Sequence, residues 1–493
     1  MWGAFQKAGA RIRLTPQFGN VETGETFNVN KIDGTLDQIF ELQDRIVTEL
    51  AEILRIELTS FETEQIAKPQ TARVTAYELY ARGKQSFLVF GKESARAAAE
   101  YFRQAIVIDP NYAQAWAGLG SLLMPKYISS GNAADLDDGV HALQRAMQLD
   151  PSLGEPYAFL AYMLMQQHRY DDAIEAARAS LDRDPGAFMG WYLLGAPLLG
   201  RGLGRGTLDD MARAILPLLR CRTLNPAFHP AQMTAGLIYR LRGQYAHAAY
   251  LLDEAVALER AGAGHVFLGA FVERAIIHAN SGELPAALAL LDMAIPKYSA
   301  MDHVYAETMT AWACFSRGRL MERAQDYSGA ARDYENACQV AEANDHRLGI
   351  GSHWVRAKLG LARLAFRRGE HSVSDSLVTE ATRMLKAKDR FVWINLIGCS
   401  QAESYYEVAA THALRDEAGT ALEALELAIR FGWSDPHQVN HDPCFDGKRD
   451  SQPVRQLMAR AASLVTLPAP FGAGGFPDLG EPGIAHVPSL RAG

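Results

Sequence analysis

The chain is poor in cysteine, has no excess of positive charge and contains no long apolar run. Cys221, Cys314, Cys338, Cys399 and Cys444 are the only 5 cysteines in 493 residues, and no C-x-x-C pair occurs, which excludes a disulfide scaffold. The net charge of −8 argues against a surface built to neutralise phosphates, so no nucleic-acid partner is expected. No stretch of about 18 apolar residues occurs, so no membrane insertion is expected. Residues 1–10 lack the apolar core and cleavage site of a signal peptide. The expected location is therefore cytoplasmic, or periplasmic if the chain is part of a membrane-anchored parent. A nucleophile elbow, an H-E-x-x-H helix and the kinase motif set are all missing, so neither catalysis nor a cofactor is expected. What the chain does have is 48% hydrophobic residues, enough for a large core.

That core is repetitive. An acidic or amide residue precedes proline at Asp109-Pro110, Asp150-Pro151, Asp184-Pro185 and Asn225-Pro226, with the prolines 41, 34 and 41 residues apart. Six residues after each proline stand Trp116, Tyr157, Trp191 and Gln232, and four further on stand Gly120, Ala161, Gly195 and Gly236. Within one interval, Tyr157, Leu160, Ala161 and Leu164 recur at helical spacing, and Ala173, Ala177, Ser180 and Leu181 mark a second helix. The proline suits a first helical turn and the Asp beside it can cap free N–H groups. Each interval therefore predicts a helical hairpin, in which tiny residues let the helices approach and the aromatic fills the remaining gap.

A 34-residue helix–turn–helix unit with Trp116-Ala117-Gly118-Leu119-Gly120 and Trp191-Tyr192-Leu193-Leu194-Gly195 resembles the tetratricopeptide repeat. Tyr157, Leu160 and Ala161 match less closely. Ala98, Ala173 and Ala248 fall where that family keeps a small residue, as do Ala105, Ala146 and Ala255. The seven extra residues of the longer intervals are expected as insertions near residues 129–138 and in the glycine-rich turn 200–206. Gly243, Gly282, Asp326 and Gly369 mark looser hairpins downstream, and about nine hairpins are expected in all. The expected fold is mainly α: a tetratricopeptide-like helical-hairpin solenoid preceded by a small partial α+β module. The expected divisions are 1–70 for that module, 75–260 for clear repeats, 261–432 for degenerate hairpins, 433–463 for a cap and 464–493 for a Pro/Gly-rich disordered tail.

The resemblance also implies a function. Solenoids of this family expose a concave surface from the first helix of each pair, and a protein or peptide partner is bound there. Groove positions carried over from the family fall on Tyr162, Met165, Tyr192, Leu199, Met233, Leu237 and Arg240, an apolar and aromatic stripe with one cation. Such a stripe suits an apolar peptide, an amphipathic helix or a second part of the same chain, and self-association is open. The alternative is a narrow superhelix in which these side chains pack on one another. An independent small-molecule binder would need a closed polar pocket, which sequence alone does not reveal.

The amino-terminal stretch has a different rhythm. Ile12, Leu14, Pro16 and Phe18 alternate with Arg11, Arg13, Thr15 and Gln17; Phe27 and Val29 begin a second run, so a β-hairpin is expected. Leu36, Ile39, Phe40, Ile46, Val47, Leu50, Ile53 and Leu54 follow as an amphipathic helix. Residues 11–15, 22–25 and 39–44 resemble the later half of the TolB-like amino-terminal domain, over roughly residues 2–68. Phe27-Asn28-Val29 stands where that family shows a tryptophan, and its first strands and helix are missing. This resemblance implies a bacterial signalling protein. It leaves open a carboxy-terminal fragment or subunit of a serine/threonine kinase, a class III nucleotide cyclase or a winged-helix regulator.

Other constellations have simpler explanations. His437, His441, Cys444 and Asp442 are spaced as metal ligands could be, but Asp435-Pro436 and Asp442-Pro443 are equally turn chemistry. The glycines at 200, 202, 204 and 206 lack the preceding strand and the Gly-Lys-Ser/Thr end of a phosphate loop. Asp171-Asp172 and Asp209-Asp210 suit helix starts, where negative charge favours the dipole. Cys221 and Cys338 read as core, and His278 and His353 as surface or satisfied core residues.

Overall fold

The computed structural model describes residues 71–463, except 88–90, 131, 206–207, 263–267, 347–348 and 388–399, together with residues 2–9, 11–19, 26–28, 31–35 and a few positions between 38 and 49. The expected tail at 464–493 and most of the amphipathic helix lie outside the described residues.

Among the described residues nine helical hairpins follow one another. They are α1 (Val74–Phe87) with α2 (Lys92–Ile108), α3 (Ala113–Ser130) with α4 (Ala133–Leu149), and α5 (Glu155–Gln166) with α6 (Tyr170–Arg183). Next come α7 (Phe188–Arg205) with α8 (Leu208–Leu224), α9 (Pro230–Leu241) with α10 (Tyr245–Ala261), and α11 (Ala270–Asn280) with α12 (Leu284–Ala300). The last three are α13 (Ala306–Arg323) with α14 (Tyr327–Ala343), α15 (Ile350–Arg367) with α16 (His371–Ala387), and α17 (Gln401–Leu414) with α18 (Ala418–Arg430). Then α19 (Pro436–His441), a short 3-10 turn at Pro443–Phe445 and α20 (Gln452–Ser463) close the array. This is a tetratricopeptide-like solenoid.

The repeat markers have a physical role that differs in part from the expected one. Pro110, Pro151 and Pro185 lie in the turns, ahead of helices that begin at Ala113, Glu155 and Phe188. Asp109 and Asp184 instead end the preceding helices, and their carboxylates accept the N–H two residues on, from Asn111 and Gly186 at 3.0 Å each. The residue six beyond the proline holds the turn's carbonyl. The Trp116 and Trp191 indoles donate to the Pro110 and Pro185 oxygens at 2.9 and 2.8 Å, and the Gln232 amide donates to that of Pro226 at 2.8 Å. Tyr157 has no such donor in reach; Arg183, stacked on its ring, donates to Pro151 at 2.7 Å instead. This shared hydrogen bond explains why glutamine serves where tryptophan is usual. Four residues further on, a Cβ on Gly120, Gly195 or Gly236 would come within 2.7–2.8 Å of Leu143, Leu218 or Leu252 of the second helix. Glycine permits that approach in these three hairpins, and Ala161 takes the same place in the fourth.

Hairpin turns share one backbone solution. His168, Gly243, Gly282, Gln325, Gly369 and Asp416, each two residues before the second helix, have φ between 59° and 84°. In each, the next residue's N–H reaches back five residues: Arg169 to Leu164, Gln244 to Tyr239, Glu283 to His278, Asp326 to Met321, Glu370 to Ala365 and Glu417 to His412, at 2.8–3.0 Å. This is the Schellman closure of a helix end. The left-handed residue in the fourth of these turns is therefore Gln325, and Asp326 is the cap of α14, accepting from Gly329.

Two sequence expectations are corrected. Among the described residues neither long interval carries an inserted loop: α3 and α4 have 18 and 17 residues against 12 and 14 in α5 and α6, so the seven extra residues become about two further helical turns. The glycine-rich stretch expected as a turn is the last part of α7, through Arg205. Gly200 lies against the Tyr170 ring, which a Cβ would meet at 2.6 Å, and Arg201 is held by Asp210 at 2.7 and 2.8 Å and by Asp171 at 2.5 Å. Packing and ion pairing override the low helix propensity of glycine there.

At the amino terminus β1 (Trp2–Ala8), β2 (Arg11–Gly19), β3 (Thr26–Asn28) and β4 (Ile32–Thr35) form one antiparallel sheet. β2 is central, with β1 on one side and both β3 and β4 on the other. The two-stranded hairpin expected from the alternation is thus extended by β1 and β4. Ile12, Ile32 and Leu42 are buried, and Arg13 forms a two-point pair with Asp33 at 2.6 and 2.7 Å.

Candidate functional site

The candidate site is the inner face of the superhelix, made by the first helix of each hairpin. Its seven sequence-derived residues lie on α5, α7 and α9. Met165, Leu199, Met233, Leu237 and Arg240 are each at most 2% exposed, and Tyr192 is buried with its ring edge-on to Phe228. Tyr162 is half-buried, and its hydroxyl meets that of Tyr305, 143 residues later, at 2.8 Å. Burial pushes the Tyr162 phenol up to about 12. None of the seven therefore lines an open groove in this structure: the chain itself covers them.

The lone cation of the stripe shows how. Arg240 donates to Glu273 on α11 at 2.5 Å and to Glu403 on α17 at 2.9 Å, with exposure of both partners at or below 10%. Burial opposes the charge on Arg240, but the two carboxylates more than offset it and hold its pKa above the ordinary value. A second cluster lies one layer on. Arg319 on α13 contacts Glu407 on α17 at 3.1 Å and Asp442 in the cap at 2.5 Å. Arg363 on α15 reaches Glu322 at 3.0 Å and Glu407 at 2.8 Å. Burial alone would raise the Asp442 carboxyl; Arg319 and the Cys444 N–H instead hold it below its usual range. Between these clusters the cap docks on α9: Ser434 donates its N–H and hydroxyl to the Leu241 carbonyl at 3.1 and 3.0 Å, and Tyr245 donates to Asp435.

Apart from Arg240, and Asp442 which the sequence offered only as a metal ligand, sequence reasoning missed these charges, because their partners on other helices are tens of residues away. A usable signal exists within α15: Arg356, Gly360 and Arg363 recur at helical spacing on a face that must be buried. An arginine there requires a buried acid elsewhere.

The remaining candidates are committed to structure. Asp442 serves Arg319, Tyr406 and the Cys444 N–H, while His441 faces the His437 carbonyl. Among the described residues no group of three His, Cys, Asp or Glu side chains is placed to hold a metal ion. Asp171 pairs with Arg201 and Arg205 in the first turn of α6. Cys221 and Cys338 are buried, and burial pushes the Cys338 thiol up to about 12. His278 pairs with Glu283, and His353 is fully buried beside Arg356, where burial drives its pKa well below the usual value. Among the described residues no helix is long and apolar enough to cross a membrane.

No family model matches the chain. A protein of Rhizobium meliloti (strain 1021) named "Putative adenylate cyclase 3" is 30% identical over 177 residues, covering 35% of this chain and 30% of that protein. The match thus spans less than a third of that relative's length. Among solved structures, the human IFIT1 dimer with PPP-AAAA is 17% identical, covers 79% of this chain and 78% of its own, and has a TM-score of 0.46. A thermophilic TPR protein of Thermus thermophilus is 22% identical, covers 37% of this chain and 91% of its own, with a TM-score of 0.30.

Proposed function

We propose that the chain is a protein-interaction scaffold and regulatory module of bacterial signalling, acting on or attached to an enzyme whose catalytic domain is not among these residues. The observation that supports this reading is the 30% identity to the Rhizobium meliloti protein over 177 residues. The same observation favours a nucleotide cyclase over a kinase or a winged-helix regulator as the associated activity. In this reading residues 2–68 are a TolB-like module, the solenoid transmits or receives the contact, and no step of catalysis belongs to the chain. The location is cytoplasmic, or periplasmic beyond a membrane anchor.

A peptide or helix reaches Tyr162, Met165, Tyr192, Leu199, Met233, Leu237 and Arg240 only when the parts of the chain that cover them move, and the contact between Tyr162 and Tyr305 is one such cover. Tyr162→Phe deletes that hydrogen bond and keeps the ring. If the inner face is the partner's seat, the variant captures more partner than the parent; equal capture places the partner elsewhere. The function itself is tested by assaying the purified chain for cyclic AMP formation from ATP and by capture from the native host. No cyclic AMP, with a cyclase or another signalling enzyme among the captured proteins, is expected. Cyclic AMP made by the chain alone, or capture without any signalling protein, overturns the reading.

A further inference from the structure

The inner face is closed, but not completely. A cavity of about 60 Å3 remains, walled by α11, α12, α13, α15, α17 and α19. That space holds on the order of four to six waters. It is too small for a peptide or a helix and suits a molecule of comparable atom count.

Its wall is chemically uneven. Three arginines (Arg319, Arg323 and Arg356) face two glutamates (Glu403 and Glu407) across it. Both glutamates are already bonded: Glu403 to Arg240, and Glu407 to Arg319 and Arg363. Arg323 differs from the arginines around it. Among the described residues it touches no carboxylate: one nitrogen donates to the Ala279 carbonyl at 2.8 Å and another to the Asn280 side-chain oxygen at a long 3.4 Å. This guanidinium is partly buried without a bonded carboxylate, and burial, offset only in part by Asp442, lowers its pKa. Two further wall residues hold unused donors: the Trp312 indole N–H and the Ser316 hydroxyl are buried with no hydrogen-bond partner. An indole N–H can only donate. Apart from Gln438, the remaining wall is apolar, with Phe315, Leu291 and Ile276.

We infer that this cavity is a binding site for a small monocarboxylate, whose oxygens accept from Arg323 and whose apolar end lies against Phe315 and Leu291. Arg319 has Glu407 and Asp442 within ion-pair distance and Arg356 has Glu403, so Arg323 is the wall guanidinium left over, which favours a monoanion over a doubly charged phosphate. The apolar wall favours a short hydrocarbon tail over a purely inorganic ion. The site does not depend on the signalling reading: it needs neither a partner protein nor a cyclase, so its failure leaves that proposal untouched.

The test uses the full chain and butyrate, titrated by saturation-transfer NMR, which reads weak affinities. Butyramide keeps the size and removes the charge; inorganic phosphate serves as the competing anion. Binding of butyrate is expected to be at least about tenfold tighter than that of butyramide, the usual weight of a hydrogen bond to a charged group. Arg323→Met is expected to weaken butyrate by about tenfold to a hundredfold with circular dichroism unchanged. Equal affinity for butyrate and butyramide, or unchanged affinity in the variant, overturns the proposal. So does displacement by phosphate at lower concentration than butyrate itself. No saturation transfer to any probe means a cavity filled by water alone and equally ends it. Should Arg323→Met not fold, the butyrate and butyramide comparison on the natural chain decides by itself.

Discussion

The early and late hairpins of the solenoid are held together differently. From α1 to α8 most of the distinguishing contacts are short in sequence, Trp116 to Pro110, Trp191 to Pro185, and Gly120 against Leu143, with the Tyr162–Tyr305 hydroxyl contact the long exception. From α9 onward they are long: Arg240 to Glu403 across 163 residues, Arg319 to Asp442 across 123, Ser434 to Leu241 across 193. A solenoid whose units touch only their neighbours gains stability unit by unit. The late half has added a second kind of bond, in which a buried charge on one hairpin is satisfied only when hairpins several units away are in place. Its stability is therefore cooperative where that of the early half is modular.

The sharpest way to break this contrast is Arg240→Met. It leaves Glu273 without its guanidinium in a site that is fully buried, and removing one partner of a buried pair costs about 3–5 kcal/mol. Amide exchange is expected to lose protection not only in α9 and α11 but also in α17, which carries Glu403. Loss confined to α9 and α11 would mean the late half is modular after all.

Next in size is a pH effect that belongs to the late half alone. Glu259 is buried, and burial pushes its carboxyl from 4.5 up to about 7, offset only in part by the Tyr298 hydroxyl, the Ala270 N–H and Lys297. Between pH 4.5 and 7 the folded chain keeps a proton that the unfolded chain has lost. Stability therefore falls as pH rises through that window, by on the order of 3 kcal/mol in full. Buried His353 contributes the opposite slope below pH 6.5, so the test is the difference between two proteins: in urea titrations from pH 4.5 to 8, Glu259→Gln should lack the fall that the parent carries, and an identical pH dependence in the two refutes the assignment.

What is legible in the sequence follows the same division. The early hairpins announce themselves through Asp-Pro steps and a tryptophan–glycine register, because their bonds join residues a few positions apart. Even there the chemistry of the marker is hidden: its spacing predicts a tryptophan that fills space, while its N–H also holds the proline carbonyl. The stretch 200–206 reads as a turn because four glycines disfavour helix locally; Tyr170 and Asp210, which make the helix possible, contribute through tertiary contact. The late clusters are illegible apart from Arg240, since nothing in a local window pairs Arg319 with Asp442. β1 escapes sequence reasoning because Trp2–Ala8 lacks the clean apolar alternation of β2.

A smaller effect sharpens the early side. Ala173 in α6 is completely buried where α5 and α6 meet. Ala173→Trp overpacks that contact and should cost roughly 1–3 kcal/mol or more. The loss of exchange protection is expected in α5, α6 and their immediate neighbours, with α17 unchanged. Spread to α17 would show that the early half shares the cooperativity of the late one.

The smallest effect asks how much the turns contribute to the late half. Gln325 adopts φ 64°, where Gly243, Gly282 and Gly369 stand in the equivalent turns. A side chain in the left-handed region costs roughly 1–2 kcal/mol. Glycine removes that cost but makes the unfolded chain more flexible, which returns about 0.4–1 kcal/mol. Gln325→Gly should therefore stabilise by about 0.5–1 kcal/mol, read as a higher urea midpoint with an unchanged slope. Gly282→Ala, with a φ of 84° and nothing near its Cβ, should destabilise by a similar amount through backbone strain alone. Gln325 has no side-chain hydrogen bond to lose among the described contacts, so the gain is not masked. If Gln325→Gly destabilises while Gly282→Ala is neutral, the shared Schellman turn does not set the energy of these hairpins. The late half would then owe its stability to its buried ion pairs rather than to its turns.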